Sequence, residues 1–199
     1  CTCGNIPMSH VSMFDECKVF CKFARLSQRM DMFREEEFSR LEISLPACLD
    51  NYRYFRGILN DSTRLLVLVK ANAYGHGAVE FASLMEDAGA DYLAVAYPVE
   101  GIELRQGGIK SPIMVLTTGT DSFEEMINYG LEPGIPNLCT LKELCKVLEK
   151  RDVKDFPIHI KLDTGMHRLG FMTEEISDLM DFLSKCDRVR IKSIYSHLA

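Results

Sequence analysis

Lys70 follows the apolar run 65–69 (LLVLV) and begins a loop that reads KANAYGHG. A run this apolar is typical of a parallel strand buried on both faces. Partial removal of a lysine amine from water at the end of such a strand favours its neutral, nucleophilic form, which can form an imine with an aldehyde. Position alone favours an ordinary surface lysine at the end of a strand. The residues that follow favour a cofactor site, because two glycines flank a histidine beside an aromatic hydroxyl (Tyr74, Gly75, His76 and Gly77).

Two further segments place reactive side chains at or just after candidate strands. Residues 159–170 read HIKLDTGMHRLG, and Arg168 in this segment offers a fixed fork of donors suited to a phenolate oxygen and a carboxylate. Lys161 lies two residues before Asp163, so an ion pair between the two is the simplest expectation. The last five residues, YSHLA, place His197 just after the candidate strand 191–195.

Alternating strands and helices position these residues. The candidate strands are 65–69, 92–96, 113–116, 131–135, 158–162 and 191–195, and the candidate helices between them are 79–88, 99–106, 122–129, 141–150 and 174–185. A strand at 41–45 and a helix over 46–59 precede them. Repeated strand–helix units predict a parallel α/β fold, either a doubly wound sheet or a (β/α)₈ barrel. Six strands instead of eight, with the chain ending at the sixth, favour an incomplete barrel.

Residues 1–38 lack clean periodicity, and we interpret them as an extension or linker with weak helical character at best, followed by the barrel domain over 39–199. Eight cysteines occur along the chain. The spacing of the first four (Cys1, Cys3, Cys17 and Cys21) fits the usual paired zinc-ligand pattern poorly. The later four resemble small buried hydrophobic residues, so reduced thiols and no metal site are expected.

Composition excludes several functional classes for the 199 residues. The formal net charge of −6 gives no support to nucleic-acid binding. No apolar run approaches the roughly 20 residues that span a bilayer, and charged residues interrupt the first 25 residues, so no secretory signal is expected. These observations predict a cytoplasmic protein with no nucleic-acid partner and no membrane-bound segment.

The segment VKANAYGHG resembles the cofactor-lysine signature of alanine racemases, and residues 159–170 and 195–199 resemble two later segments of that family. The resemblance extends from about Leu41 to Ala199. It implies pyridoxal phosphate as cofactor and the interconversion of L- and D-alanine that supplies cell-wall peptidoglycan. By the same resemblance, Lys70 holds the cofactor and moves a proton at the substrate α-carbon, and Tyr74 reaches towards the cofactor phosphate.

The resemblance also implies roles for residues near the later strands. Arg168 contacts the phenolate oxygen of the cofactor and the substrate carboxylate, and His197 packs against the cofactor ring. Lys161 matches a lysine that is often carbamylated, whose negative charge holds the arginine in place; the ion pair with Asp163 remains the alternative. Familiar members have glycine at position 167, and we expect His167 to point outward.

Members of this family combine an N-terminal barrel with a C-terminal β domain and act as homodimers. A tyrosine from the other subunit serves the opposite face of the substrate. That tyrosine has no counterpart among the 199 residues, so we expect little racemase activity from this chain alone. The alternatives are a serine or broad-specificity racemase of the same family, a non-catalytic pyridoxal-phosphate-binding protein, and an inactive fragment.

Overall fold

The computed structural model describes residues 18–21 and 39–198, which fall in two compact units divided between Thr63 and Arg64. In the first unit, β1 (Lys18–Cys21) pairs antiparallel with β2 (Ser39–Glu42). The expectation of weak helical character is therefore wrong for Lys18–Cys21. This short segment contains β-branched Val19 and aromatic Phe20, which are both enriched in strands. The first three early cysteines lie outside the described residues.

Helix α1 (Leu45–Ile58) begins earlier than the sequence pattern predicts. The expected strand over 41–45 is wrong at its end, because β2 stops at Glu42 and Leu45 is already helical. The Ser44 side chain accepts a hydrogen bond from the backbone N–H of Ala47, a helix N-cap that ends the extended backbone. Pro46 then lies in the first turn, where its missing N–H has no helical partner to lose.

The second unit contains a parallel sheet whose described strands follow one another in chain order. These strands are β3 (Leu66–Leu68), β4 (Tyr92–Val95), β5 (Ile113–Val115), β6 (Leu131–Ile135), β7 (Phe156–Lys161) and β8 (Val189–Tyr195). Their order is β3-β4-β5-β6-β7-β8, and every pair is parallel. A doubly wound sheet reverses its strand order at a switch point, whereas a barrel does not. The predicted incomplete (β/α)₈ barrel is therefore confirmed.

Helices connect these strands. They are α2 (Lys70–Gly75), α3 (Ala78–Asp87), α4 (Pro98–Gln106), α5 (Phe123–Asn128), α6 (Leu138–Lys150) and α7 (Ile176–Leu183). Five match predicted helices within a few residues, and α2, immediately after β3, was not expected. Among the described residues, no helix is both long and apolar enough to cross a membrane.

Alternate residues of each strand lie on opposite faces of the sheet. Leu93 and Val95 of β4, like Ile113 and Val115 of β5, have no exposed surface. Buried side chains on the surrounding helices complete this core: Leu104, Phe123, Met126, Leu141, Leu144 and Leu148. Burial of one such side chain contributes about 1.5–3 kcal/mol, so this outer core fixes the strands whose ends carry the candidate site.

A polar cluster of four residues joins β4, β6, β7 and β8. His159 lies between two partners: its Nε2 is 2.9 Å from Glu132 Oε2, and its Nδ1 is 2.7 Å from Ser193 Oγ. The Tyr92 hydroxyl donates to the same Glu132 oxygen at 3.1 Å. Glu132 and His159 are only 8% and 2% exposed. We call Tyr92, Glu132, His159 and Ser193 the interior cluster.

Candidate active site

An open cavity of about 450 Å³ lies at the carboxyl ends of the strands in the second unit. Lys70, Lys161, Arg168 and His197 all line it, although 127 positions separate the first from the last. Apolar side chains and hydroxyls complete the lining, among them Leu66, Leu68, Met114, Thr117, Thr164 and Ser196. Cavities of this volume, mostly apolar with a few polar groups, are typical of small-molecule sites. The carboxyl ends of barrel strands are also where barrel enzymes place their catalytic residues.

Lys70 lies two residues beyond the end of β3 and is partly buried. The backbone that follows it is left-handed over four consecutive residues, Ala71 to Tyr74, with φ between 50° and 56°. This conformation costs roughly 1–2 kcal/mol per L-residue, and asparagine tolerates it best. Strained backbone of this kind persists only where the surrounding structure holds it, and it clusters at functional sites.

Hydrogen bonds at the far end of this turn hold it closed. The Asn72 side chain accepts from the backbone N–H of Ala78 at 2.7 Å, and the Asn72 carbonyl accepts from the N–H of Gly77 at 3.2 Å. His76 Nδ1 hydrogen-bonds the Ala73 carbonyl at 2.7 Å. Gly77 has a φ of 89°, a conformation that glycine adopts without a steric penalty.

Tyr74 is the one predicted site residue that does not line the cavity. Its side chain is 57% exposed, and Lys70 Nζ lies 6.0 Å from the centre of its ring. The structure thus places Tyr74 next to Lys70 but on the solvent side of it.

The loop after β7 carries Arg168. Asp163 Oδ1 accepts from the backbone N–H of Gly165 and of His167, both at 3.0 Å. At the end of the loop the backbone returns to the strand, since the Phe171 N–H donates to the Lys161 carbonyl at 2.8 Å. The loop therefore closes on itself and presents Arg168 to the cavity.

Gly170 makes this return possible. A Cβ atom at position 170 would lie 2.5 Å from the backbone of Leu162, and the φ of Gly170 is 130°. Any side chain would force the two backbones apart. His167 has a φ of 53°, and its side chain is 69% exposed, in agreement with the expected outward orientation. Its Nδ1 is 3.4 Å from Asp163 Oδ2.

Lys161 does not make the expected ion pair with Asp163 in the described part of the chain. Its Nζ lies over the Tyr195 ring, 4.9 Å from the centroid. Partial burial lowers the pKa of Lys161, the positive charge of Arg168 lowers it further, and Asp163 opposes both effects. The hydrogen bonds to Gly165 and His167 in turn hold the pKa of Asp163 below its usual value. Asp163 therefore organises the loop backbone instead of binding the lysine.

His197 follows β8 and lines the cavity, whose lining also includes five hydroxyl groups, those of Thr117, Thr164, Ser193, Tyr195 and Ser196. Ser196 and Thr164, from the ends of β8 and β7, form a short hydrogen bond through their hydroxyls. Burial raises the pKa of Tyr195 to about 12, so its phenol is neutral at physiological pH. Gly134 leaves room for this phenol, because a Cβ at position 134 would lie 2.5 Å from the Tyr195 hydroxyl.

Comparison with known proteins agrees with this geometry. Residues 43–199 match the family described as alanine racemase, N-terminal domain. The chain belongs to this family. A relative named alanine racemase from Synechocystis sp. is 39% identical over 163 residues, which are 80% of this chain and 43% of that protein.

Solved structures of family members show the same fold. Alanine racemase from E. faecalis superposes with a TM-score of 0.74 at 32% identity, over 79% of this chain and 43% of that one. The enzyme from Bartonella henselae, solved with covalently bound pyridoxal phosphate, gives a TM-score of 0.72 at 30% identity, over 79% and 46% of the two chains. The chain thus spans less than half the length of these racemases.

Sequence reasoning missed one residue beside the site. The Glu100 carboxylate, on α4, hydrogen-bonds the backbone N–H of Ala71, immediately after Lys70. A sequence signal for part of this arrangement exists: Pro98 followed by Glu100 is typical of a helix N-terminus. Nothing in the sequence indicates that the same carboxylate reaches across to the neighbouring loop.

Proposed function

We propose that the cavity binds pyridoxal phosphate and that this chain forms the cofactor-binding barrel of an alanine racemase. The observation that carries the proposal is the convergence of Lys70, Arg168 and His197 on one cavity at the strand ends. The Bartonella henselae relative, which carries covalently bound pyridoxal phosphate, supports the choice of cofactor.

The residues of the cavity suit this cofactor chemically. Its aldehyde requires an amine, and Lys70 brings one into the cavity from the end of a buried strand. Its phosphate and phenolate oxygens are anionic, and Arg168 brings a guanidinium group to the cavity. Leu66, Leu68 and Met114 offer an apolar surface to an aromatic ring.

When bound, the cofactor supplies the electron sink that allows an amino acid to lose its α-proton. Lys70 would hold the cofactor through Nζ, and its amine would accept or return the α-proton on one face of the substrate. The strained turn after Lys70 limits the directions that its side chain can adopt, which favours a single approach to the α-carbon.

Arg168 binds the substrate carboxylate and the cofactor's phenolate oxygen through its fork of N–H donors. Its guanidinium lines the cavity and would also neutralise a substrate anion there. His197 would pack against the cofactor ring, and Tyr74 would lie towards its phosphate. Full racemisation takes place in a homodimer, with the second proton carrier supplied by the partner.

Lys161 is carbamylated when carbon dioxide is available. Addition of CO₂ to a neutral amine, with loss of one proton, forms an N-carboxylate. The lowered pKa of Lys161 increases the fraction of neutral amine, and the nearby Arg168 charge that contributes to this effect stabilises the resulting anion. The modification turns a repulsion between two cations into an attraction that orients Arg168.

Exchange of the alanine α-proton tests the proposed function, because it requires Lys70 but no second base. The chain is incubated with pyridoxal phosphate and either alanine enantiomer in D₂O, and loss of the α-proton signal is followed by NMR. We expect exchange that falls by about 100-fold or more in Lys70→Ala, the scale of a lost general base.

Lys110→Ala is the matched control, since Lys110 is exposed and lies outside the cavity. Its exchange rate stays at the wild-type value. Equal rates in wild type, Lys70→Ala and free pyridoxal phosphate would refute the proposed function.

A further inference from the structure

The Glu100 carboxylate links the ends of two neighbouring strands. One oxygen, Oε1, accepts from the backbone N–H of Ala71 at 2.7 Å. The other, Oε2, accepts from the N–H groups of Ala96 at 2.6 Å and of Tyr97 at 3.1 Å. Ala71 follows β3, and Ala96 and Tyr97 follow β4. A single side chain therefore binds three main-chain donors in two loops at the carboxyl edge of the sheet.

Only part of this arrangement is needed to cap a helix. Glu100 lies in the first turn of α4, and a bond back to the N–H of Tyr97 is a common way to satisfy a helix N-terminus. The bond to Ala71 does not serve α4, because it reaches the second residue of α2, the left-handed turn. Ala71 lies 29 positions earlier in the chain, and its N–H belongs to the peptide bond that joins it to Lys70.

That peptide bond begins the left-handed turn. Ala71 is the first of the four residues with positive φ, and alanine itself gives no preference for this conformation. The Asn72 bonds to Gly77 and Ala78 hold the far end of the turn. At the near end, next to Lys70, the Ala73 N–H donates to the Val69 carbonyl at 3.0 Å, and Glu100 supplies a side-chain acceptor for the N–H of Ala71.

We propose that Glu100 is a positioning residue for Lys70. Its carboxylate fixes the peptide after Lys70 against the loop after β4 and so keeps the Lys70 amine directed into the cavity. A carboxylate is required because its two oxygens serve both loops at once. A neutral amide of the same shape has only one acceptor oxygen and can serve one loop or the other. The inference rests on the proposed function for the part that concerns the cofactor.

Glu100→Gln tests the proposal through two measurements. The first is hydrogen–deuterium exchange of the Ala71 amide, which involves no cofactor. The second is the dissociation constant of pyridoxal phosphate, taken from its absorbance, with borohydride reduction to locate the lysine that holds it. In Glu100→Gln, we expect the exchange rate of the Ala71 amide to rise above its wild-type value by more than the rates of amides in the middle of α4. We also expect pyridoxal phosphate to bind about 10- to 100-fold more weakly than to wild type, the scale of a lost hydrogen bond to a charged group.

Glu103→Gln is the matched control, since Glu103 is an exposed carboxylate on the same helix. It leaves both measurements unchanged. A purely structural role for Glu100 would give a different pattern: a lower unfolding temperature, faster exchange throughout α4, and unchanged cofactor affinity in the folded protein. That pattern, or unchanged exchange at Ala71, would overturn the proposal.

The two proposals fail in distinguishable ways. Absence of any reduced adduct on Lys70 in the wild type refutes the proposed function, and Glu100 is then judged by Ala71 exchange alone. An adduct on Lys70 with equal affinity in wild type and Glu100→Gln refutes the positioning role and leaves the proposed function standing.

Discussion

The interior cluster and the cavity are two polar regions of the same barrel that meet at Ser193, and they differ in whether their charged side chains are paired. Within the interior cluster, Tyr92, Glu132, His159 and Ser193 bind one another through three hydrogen bonds. At the strand ends, the side chains of Lys70, Arg168 and His197 form no hydrogen bond or ion pair with any residue that the structure describes.

Because of this difference, we expect the interior cluster to contribute to folding stability and the cavity residues to contribute to ligand binding. A buried polar group that is fully paired contributes modestly to folding, but its loss leaves a partner unpaired at a large cost. An unpaired cation on an open cavity contributes little to folding and remains available to a ligand. We therefore expect substitutions in the interior cluster to reduce stability, and substitutions at the cavity to reduce binding.

Glu132→Gln should have the largest effect on stability. Burial by itself would raise the pKa of Glu132, but hydrogen bonds from His159 and Tyr92 and the His159 charge lower it overall. Both donors bind the same oxygen, Oε2, and a neutral amide oxygen is a weaker acceptor than a carboxylate, so we expect a loss of about 2 kcal/mol in the free energy of unfolding at pH 7. Urea unfolding measures it, with Glu103→Gln as the exposed control.

The difference in stability between Glu132→Gln and wild type should become smaller in acid. The folded-state pKa of Glu132 lies below its unfolded value of about 4.3. Its stabilisation is therefore complete above that pH and is lost as pH falls through the folded-state pKa. The difference in unfolding free energy between wild type and variant should shrink below about pH 4. A constant difference across this range would contradict the charged hydrogen bond.

Arg168→Met should weaken cofactor binding and leave the stability of the protein nearly unchanged. Arg168 is exposed and lines the cavity, so we expect the free energy of unfolding to change by less than about 0.5 kcal/mol. Affinity for pyridoxal phosphate should fall by about 10-fold or more. Arg168→Lys keeps the charge but loses the planar fork, and it should recover only part of the affinity. A large loss of stability would show that Arg168 contributes to folding, contrary to this prediction.

The proposed carbamylation of Lys161 can be tested directly. Lys161 lines the cavity, and its Nζ lies over the ring of Tyr195. With ¹³C-labelled bicarbonate, we expect one carbamate signal by NMR that is absent in Lys161→Ala. The signal should persist in Lys70→Ala, which removes the other cavity lysine near the strand ends. If the signal follows Lys70 instead, the assignment of the two lysines is reversed.

His167→Gly should have the smallest effect. His167 holds a positive φ of 53°, so glycine relieves strain but adds freedom to the unfolded chain and removes the contact with Asp163. We expect these effects to leave the unfolding free energy within about 1 kcal/mol of wild type. Thermal unfolding at equal pH measures it. A loss well beyond that range would show that the contact with Asp163 holds the loop.

Much of the barrel could be predicted from sequence, since its strands are short apolar runs separated by helices with clear periodicity. The register of β1 against β2 could not, because Lys18–Cys21 is only four residues long and pairs with a distant segment. The over-long strand prediction at 41–45 has a local cause: the alternating pattern continues through Ser44, whose side chain in fact starts a helix.

The candidate site was predictable in its residues but not in its backbone. Lys70, Arg168 and His197 follow strands, and parallel strands bring their carboxyl ends together. The left-handed turn after Lys70 has only Asn72 as a local signal, because its other residues have no preference for positive φ. The Glu100 bond to Ala71 joins distant positions, and such a contact exists only once the strands have paired.

The most direct test of the account is to locate the lysine that holds pyridoxal phosphate. The protein is incubated with the cofactor, reduced with borohydride and digested, and the modified peptide is identified by mass spectrometry. The account predicts a single reduced adduct on Lys70, absent in Lys70→Ala and unchanged in Lys110→Ala. An adduct on Lys161, or labelling spread evenly over exposed lysines, would contradict it.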